Sequence, residues 1–327
     1  MATDLSIITV VTRSAEVPAL SSLLDSIADS DFSGALEVIV VSNGLSSEEL
    51  KAVAKRHSDR ARFLWADRNL GYAGANNWGM LKSGGRLILL LNPDIVVNRD
   101  SLSRLVAFVD GRPDVGAATG KLIGPDGQVQ VGFNARGLPT FLSAVFDALL
   151  LHRAFPWTRL SRHYLGRDID YERPQRIEQP AGACLLVRRE LVEQVGVMDE
   201  TFFPIWYEDV DWCMRMRSYG WQLWYTPDAV FYHAGGVSTG DWPKGDAALA
   251  KYHNFAYLCK KHFGVPLSIL IVLSIAVGML LRSLLVLLGA LLRRDMSQDV
   301  KNFQRGDTMN AVKGYMRIFW LSVTARL

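Results

Sequence analysis

The sequence predicts an α/β fold built on a doubly wound, mainly parallel sheet, followed by a hydrophobic helical tail. Three observations carry that expectation. Short continuous runs of Ile, Val and Leu alternate with amphipathic stretches through residues 5–109, the pattern of strands buried on both faces with crossover helices between them. Small and polar residues cluster just after those runs, where such sheets bind ligands. Near the C-terminus, residues 265–292 form a 28-residue apolar stretch with one charge. With 49% hydrophobic and 21% charged residues, the chain has ample core material and is not of a disordered class. Its 327 residues divide into an expected α/β domain, 1–250, and a hydrophobic, basic helical tail, 251–327.

The first strand is expected over 5–11, the second over 36–41 and a third over 86–91. Helices are expected at 17–28 and at 46–56, where Ser46 can cap and Glu48 and Glu49 enter the first turn. A further helix should start near Gly74 and run to Lys82, and another should span 101–109. Beyond residue 120, Gly124-Pro125-Asp126-Gly127 reads as a turn between strand-like stretches. Residues 140–151 have the apolar spacing of an amphipathic helix ringed by arginines, which either packs on the sheet or meets a lipid. A strand at 181–187, a helix at 189–195, an acidic helix from 208 and two short strands at 222–225 and 229–233 complete the body.

Three cysteines, Cys184, Cys213 and Cys259, sit 29 and 46 residues apart. No disulfide framework, zinc ribbon or dithiol redox site fits that spacing. The N-terminus shows no secretory leader, so a cytoplasmic location is expected. Charge is unevenly placed. Residues 251–327 hold eleven Lys/Arg against three acids, a net +8, whereas residues 1–250 hold 25 bases and 30 acids. A basic tail suits either nucleic acid or an anionic membrane, and the apolar run in the same segment favours the membrane over nucleic acid. The run is long enough for a hydrocarbon core of about 30 Å, yet Arg282 interrupts it and bases flank both ends. At 100° per residue, Ser268, Gly278, Arg282, Gly289 and Arg293 share one side, so an in-plane or shallow hairpin helix competes with a span.

Four clusters carry chemistry. Asn92-Pro93-Asp94 follows a buried strand, and Asp94 can either hold Mg²⁺ or Mn²⁺ against a diphosphate or belong to an ordinary turn. The segment Asn69–Asn77, with its small residues, lets backbone N–H groups approach a phosphate or sugar. It lacks the spacing of a nicotinamide fingerprint. In Glu208-Asp209-Val210-Asp211, Asp211 has Arg215 one turn on. Asp209 points elsewhere on the helix, without a helical cation, and is a candidate general base. His233 closes an apolar strand and is either structural or a metal ligand.

In their order and spacing these clusters, with Pro180-Ala181-Gly182-Ala183 and Met198-Asp199-Glu200, resemble glycosyltransferase family 2, the inverting enzymes of GT-A fold, over roughly residues 5–240. The resemblance implies that Asp94 belongs to the metal-binding element and that Asp209 is the catalytic base. It further implies donor contacts at Thr12, Arg13, Ser42, Asn43, Asn69, Gly71, Tyr72, Asn76, Asn77 and Asn92. Gly182, Trp206 and Glu208 fall on the acceptor side, and His233 looks like the histidine completing the metal site of related galactofuranosyltransferases. Asn-Pro-Asp in place of Asp-x-Asp is most similar to bacterial rhamnosyltransferases that use dTDP-L-rhamnose. Two positions depart from the pattern. Ser42-Asn43 stands where Asp-Asn is usual, and Thr12-Arg13-Ser14 where Tyr-Asn is usual, both in the nucleotide pocket. The expected activity is metal-dependent transfer from a nucleotide-sugar to a lipid-linked or oligosaccharide acceptor at the cytoplasmic membrane face. A galactofuranosyl or other hexosyl transferase is the alternative within that class. A catalytically weak membrane-bound subunit of a polysaccharide assembly complex is the alternative outside it.

Overall fold

The computed structural model describes residues 3–235, 244–292, 313–318 and 320–321. The elements in chain order are β1 (Leu5–Val11), α1 (Val17–Ala28), β2 (Leu36–Asn43), α2 (Glu48–Arg56), β3 (Arg62–Ala66), α3 (Gly71–Lys82), β4 (Leu87–Leu91), β5 (Ile95–Val97), α4 (Ser101–Asp110) and β6 (Val115–Ile123). They continue with β7 (Ala135–Arg136), α5 (Phe141–Ala148), α6 (Leu151–Ala154), α7 (Arg159–Tyr164), β8 (Gln175–Ile177), β9 (Gln179–Pro180), β10 (Cys184–Arg188), α8 (Arg189–Val195), α9 (Glu208–Ser218), β11 (Gln222–His233) and α10 (Lys244–Leu292).

The chain forms two compact units. The first comprises residues 1–138, 163–204 and 208–240, and the second 139–162, 205–207 and 241–327. In the first, the main sheet runs β3-β2-β1-β4-β10-β6-β11-β5, with β8 alongside β11. β1 pairs in parallel with β2 and β4, β2 with β3, and β6 with β11, whereas β10 runs antiparallel to both its neighbours. The GT-A architecture expected from the resemblance is the one observed. β1 and β4 are buried along their whole length, which is why they read as unbroken apolar runs. Strand order reverses at β1, so ligands are expected at its carboxyl end and at that of β4.

Several local details differ from the sequence reading. Ser47, not Ser46, caps α2, accepting from the Leu50 N–H at 3.2 Å. β3 was not expected, because its burial is partial and its apolar run is short. α3 starts at Gly71, three residues early, because carboxamides satisfy its first N–H groups. Asn43 Oδ1 accepts from Leu70 and Asn69 Oδ1 from Gly71. Gly79 lets this helix lie on β1, since a Cβ there would overlap Ile8 Cγ2. The strand expected at 181–187 begins at Cys184, and the two expected at 222–225 and 229–233 are one strand with an irregularity between Tyr225 and Val230.

In the second unit, the helix expected over 140–151 is two, α5 and α6, separated by Leu150 in the left-handed region (φ 62°). Thr140 caps α5. α10 breaks at Gly264 (φ 77°), ahead of Pro266. Among the described residues, 246–288 is the one helix long and apolar enough to cross a membrane. Gly289 and Arg293 fall outside the described side chains, as does most of the basic segment after residue 292.

Candidate active site

The site is built at the strand ends of the first unit. β11 pairs with β5 so that His233 lies opposite Ile95, and the Ala234 N–H donates to the Asp94 carbonyl at 3.1 Å. That pairing sets His233 Nε2 3.4 Å from Asp94 Oδ1, with both residues buried. Asp94 Oδ1 has no hydrogen-bond partner.

The orientation of His233 is fixed from behind. Gln130 Nε2 donates to the His233 carbonyl at 3.1 Å, so its Oε1 must be the acceptor facing His233 Nδ1 at 2.7 Å. Nδ1 therefore carries the proton, and in the neutral ring Nε2 turns its lone pair toward Asp94 Oδ1. Two acceptors 3.4 Å apart repel unless a proton or cation lies between them. Phe133 stacks on the imidazole, 4.9 Å between centroids. This is how a ligand histidine is held: its second nitrogen donates to a fixed acceptor, which sets tautomer and direction. The donor set of one carboxylate and one imidazole fits a divalent cation. Among the described residues no third His, Cys, Asp or Glu joins them, so a bound cation would need further ligands such as diphosphate oxygens and water. Gln130 and Phe133 escaped the sequence reading. The only hint was their place just after the Gly124–Gly127 turn.

Asp209 opens α9. Its Oδ1 accepts from the Val210 N–H at 2.8 Å and its Oδ2 from the Gly182 N–H at 3.3 Å. The Gly182 carbonyl in turn accepts from the Tyr72 hydroxyl at 2.8 Å. A Cβ on Gly182 would lie 3.2 Å from Asp209 Oδ2 and 3.4 Å from the Tyr72 oxygen, so the close packing of peptide, phenol and carboxylate favours glycine there. The turn bearing Gly182 also touches the metal side, because the Asn92 N–H donates to the Ala183 carbonyl at 2.9 Å. Burial pushes the Tyr72 phenol well above its ordinary range, and the charges of Glu208, Asp209 and Asp94 push it further. Tyr72 thus feels all three carboxylates and stays a neutral donor. Asp211 is fully buried and paired with Arg215 at 2.9 Å, as the one-turn spacing predicts.

The expected donor residues divide. Asn43 Nδ2 lies within hydrogen-bond range of Thr12 Oγ1, Asn69 Oδ1 and the Gly71 carbonyl, which gathers those four residues at the end of β2. Glu16 Oε2, buried, accepts from the Thr12 and Arg13 N–H groups and fixes the turn after β1. The Ser42 hydroxyl donates to the Leu45 carbonyl. Asn76 Nδ2 donates back to the Tyr72 carbonyl. Asn77 clasps the 198–200 loop, donating to the Met198 carbonyl and Glu200 Oε1 while accepting from the Met198 N–H. Glu208 is buried at the head of α9. Trp206 belongs to the second unit, where its carbonyl accepts from Asn254 Nδ2 and its φ is 83°.

The model for glycosyl transferase family 2 matches residues 6–196. The chain belongs to glycosyl transferase family 2. It is 31% identical over 68% of its length to the uncharacterized protein y4gI of Sinorhizobium fredii, of which it spans 23%. It is 29% identical over 70% of its length to the N-acetylglucosaminyl-diphospho-decaprenol L-rhamnosyltransferase of Mycobacterium tuberculosis, spanning 76% of that protein. Its fold is like that of the mannosyltransferase PcManGT from Pyrobaculum calidifontis, solved with GDP-mannose and Mn²⁺. The two share a TM-score of 0.53 and 14% identity, covering 99% of this chain and 85% of that one.

Proposed function

We propose that the protein is an inverting, metal-dependent glycosyltransferase that moves a sugar from a nucleotide-sugar to a lipid-linked or growing glycan. The observation that carries the reading is the contrast between two carboxylate environments, one in the turn between β4 and β5 and one at the head of α9. Asp209 accepts from two backbone N–H groups, and Asp94 Oδ1, with no hydrogen-bond partner, faces His233 at 3.4 Å.

In this reading Asp209 accepts the proton of the acceptor hydroxyl. The hydroxyl oxygen attacks the anomeric carbon from the face opposite the diphosphate, and the bond to the diphosphate oxygen breaks. Gly182 holds the Asp209 carboxylate through its N–H, and Tyr72 fixes Gly182 by donating to its carbonyl. Asp94 and His233 would hold Mg²⁺ or Mn²⁺, whose positive charge stabilises the departing nucleoside diphosphate. Asn43, Asn69 and Gly71 shape the pocket beside it. Asp209 acting as a base rather than a nucleophile gives one displacement and hence inversion.

L-rhamnose from dTDP-L-rhamnose is the proposed donor, supported by the Asn-Pro-Asp sequence and the identity to the mycobacterial rhamnosyltransferase. A galactofuranosyl donor is favoured by one observation, the Asp94–His233 pair. The proposed location is the cytoplasmic face of the cell membrane, with α10 as the attachment. A panel of nucleotide-sugars titrated with and without Mn²⁺, followed by assay for transfer, tests the reading. Metal-dependent binding of dTDP-L-rhamnose with turnover supports it. Absence of metal-dependent binding to every donor leaves a catalytically silent subunit instead.

A further inference from the structure

The described part of the polar side of the apolar stretch, Ser268, Gly278 and Arg282, is turned inward in the second unit. Gly278 meets the end of α5 so closely that a Cβ would overlap the Ala148 carbonyl oxygen. One turn on, Arg282 donates from Nη1 to the Ala148 carbonyl at 2.7 Å and from Nη2 to that of Asp147 at 3.2 Å. Its guanidinium also lies 5.7 Å from the Tyr252 ring centre. The arginine thus caps the C-terminal carbonyls of α5, an arrangement its charge suits. Ser268, Ile271, Ile275, Met279 and Ser283 are buried on this same side. The opposite side is exposed and wholly apolar. Ile269, Leu273, Val277, Leu280, Leu284 and Leu288 are each at least 42% exposed and fall within about 100° of arc at 3.6 residues per turn.

We infer that the apolar half of α10 lies in the plane of an anionic bilayer surface, joined to α5 as one body, and does not cross the bilayer. This rests on the membrane attachment proposed above and goes further by fixing its geometry. Gly278 is the midpoint of residues 265–292, so a span would carry the end of α5 to the bilayer centre. The chain there is not continuous helix. It turns through the left-handed Leu150 and again between α6 and α7, and it bears Arg153 and Arg159. Irregular backbone and exposed guanidinium groups are excluded from lipid-facing hydrocarbon. At a membrane surface the same features are favourable. Phe155 and Trp157 form an exposed edge-to-face pair flanked by Arg153 and Arg159, the composition of an interfacial belt over acidic headgroups. Lys260 and Lys261, exposed just before the break at Gly264, add charge of the same sign.

Nitroxide labels on the full chain test this placement. The native cysteines are all buried, so the label goes to single substitutions Leu267→Cys, Leu273→Cys, Val277→Cys, Leu284→Cys, Leu288→Cys and Trp157→Cys. Depth is read on vesicles of phosphatidylethanolamine and phosphatidylglycerol. The expected result is one shallow depth from 273 through 288, with 157 at the headgroup level and release of the wild-type chain by carbonate. A profile deepest at 277 that shoals toward 267 and 288, with carbonate resistance, would overturn the placement alone. Failure of the wild-type chain to bind these vesicles would overturn the attachment and this placement with it, leaving transfer to a soluble acceptor as a separate question.

Discussion

The turn between β4 and β5 and the head of α9 each present a conspicuous carboxylate, and the two are held in opposite ways. Asp94 is buried beside an imidazole whose lone pair faces it, with one oxygen lacking a hydrogen bond. Asp209 is only partly buried and is steadied by two backbone N–H groups. Two residues further along the same helix, Asp211 is fully buried against a guanidinium. The difference teaches that residue type and spacing do not assign a carboxylate its job. A site lacking one positive charge asks for a cation, one held by the backbone and open on one side suits proton transfer, and one already paired builds the helix.

The sharpest break of that comparison is Asp209→Asn. The amide keeps the shape and loses the basicity, so kcat should fall about 10²–10⁴-fold. Retention of more than a tenth of the rate would move the base elsewhere. Asp211→Asn should act on the other axis. Breaking a buried pair costs about 3–5 kcal/mol, so the denaturant midpoint should drop markedly while the folded fraction keeps its turnover. A variant with normal stability and lost turnover would reverse the roles of the two acids.

Gln130→Leu sharpens the metal side. It frees the His233 tautomer without touching either ligand, and loss of such a support typically weakens metal binding 10–100-fold. Mn²⁺ titration followed by electron paramagnetic resonance measures this directly, and unchanged affinity would make the Gln130 clamp purely structural. The smallest effect concerns His163, which lies between Asp168 at 2.9 Å and Glu178 at 3.2 Å. Burial opposes charge on this ring, but the two carboxylates outweigh it and raise its pKa above 6.5. A raised folded pKa adds stability that is fully present below the unfolded value and is lost as pH rises through the folded one. Thermal stability of the wild type relative to His163→Gln should therefore be greater at acidic pH and converge above neutrality. A gap that widens with pH would contradict the pairing.

Much of this was legible in the sequence. β1, β2 and β4 announced themselves because burial on both faces demands unbroken apolar runs, and Asp211–Arg215 followed from helical spacing. β3 did not, since an edge strand with partial burial carries no such demand. The start of α3 was misplaced because Asn43 and Asn69 cap it from outside its own local pattern. Gln130 was invisible for a like reason: it acts on His233 across 103 residues, and no periodicity connects them. Helical spacing shows the polar stripe of α10 but not what covers Gly278 and Arg282, because α5, which does, lies more than a hundred residues away in the chain.

The most direct test of two carboxylates with separate work is a calorimetric titration of nucleotide-sugar into wild type, Asp94→Ala and Asp209→Asn, each with Mn²⁺ and with EDTA. The account predicts that Asp209→Asn binds donor like wild type and keeps the metal dependence, while Asp94→Ala binds weakly and equally in both conditions. Metal-dependent binding that survives in Asp94→Ala, or disappears in Asp209→Asn, would contradict it.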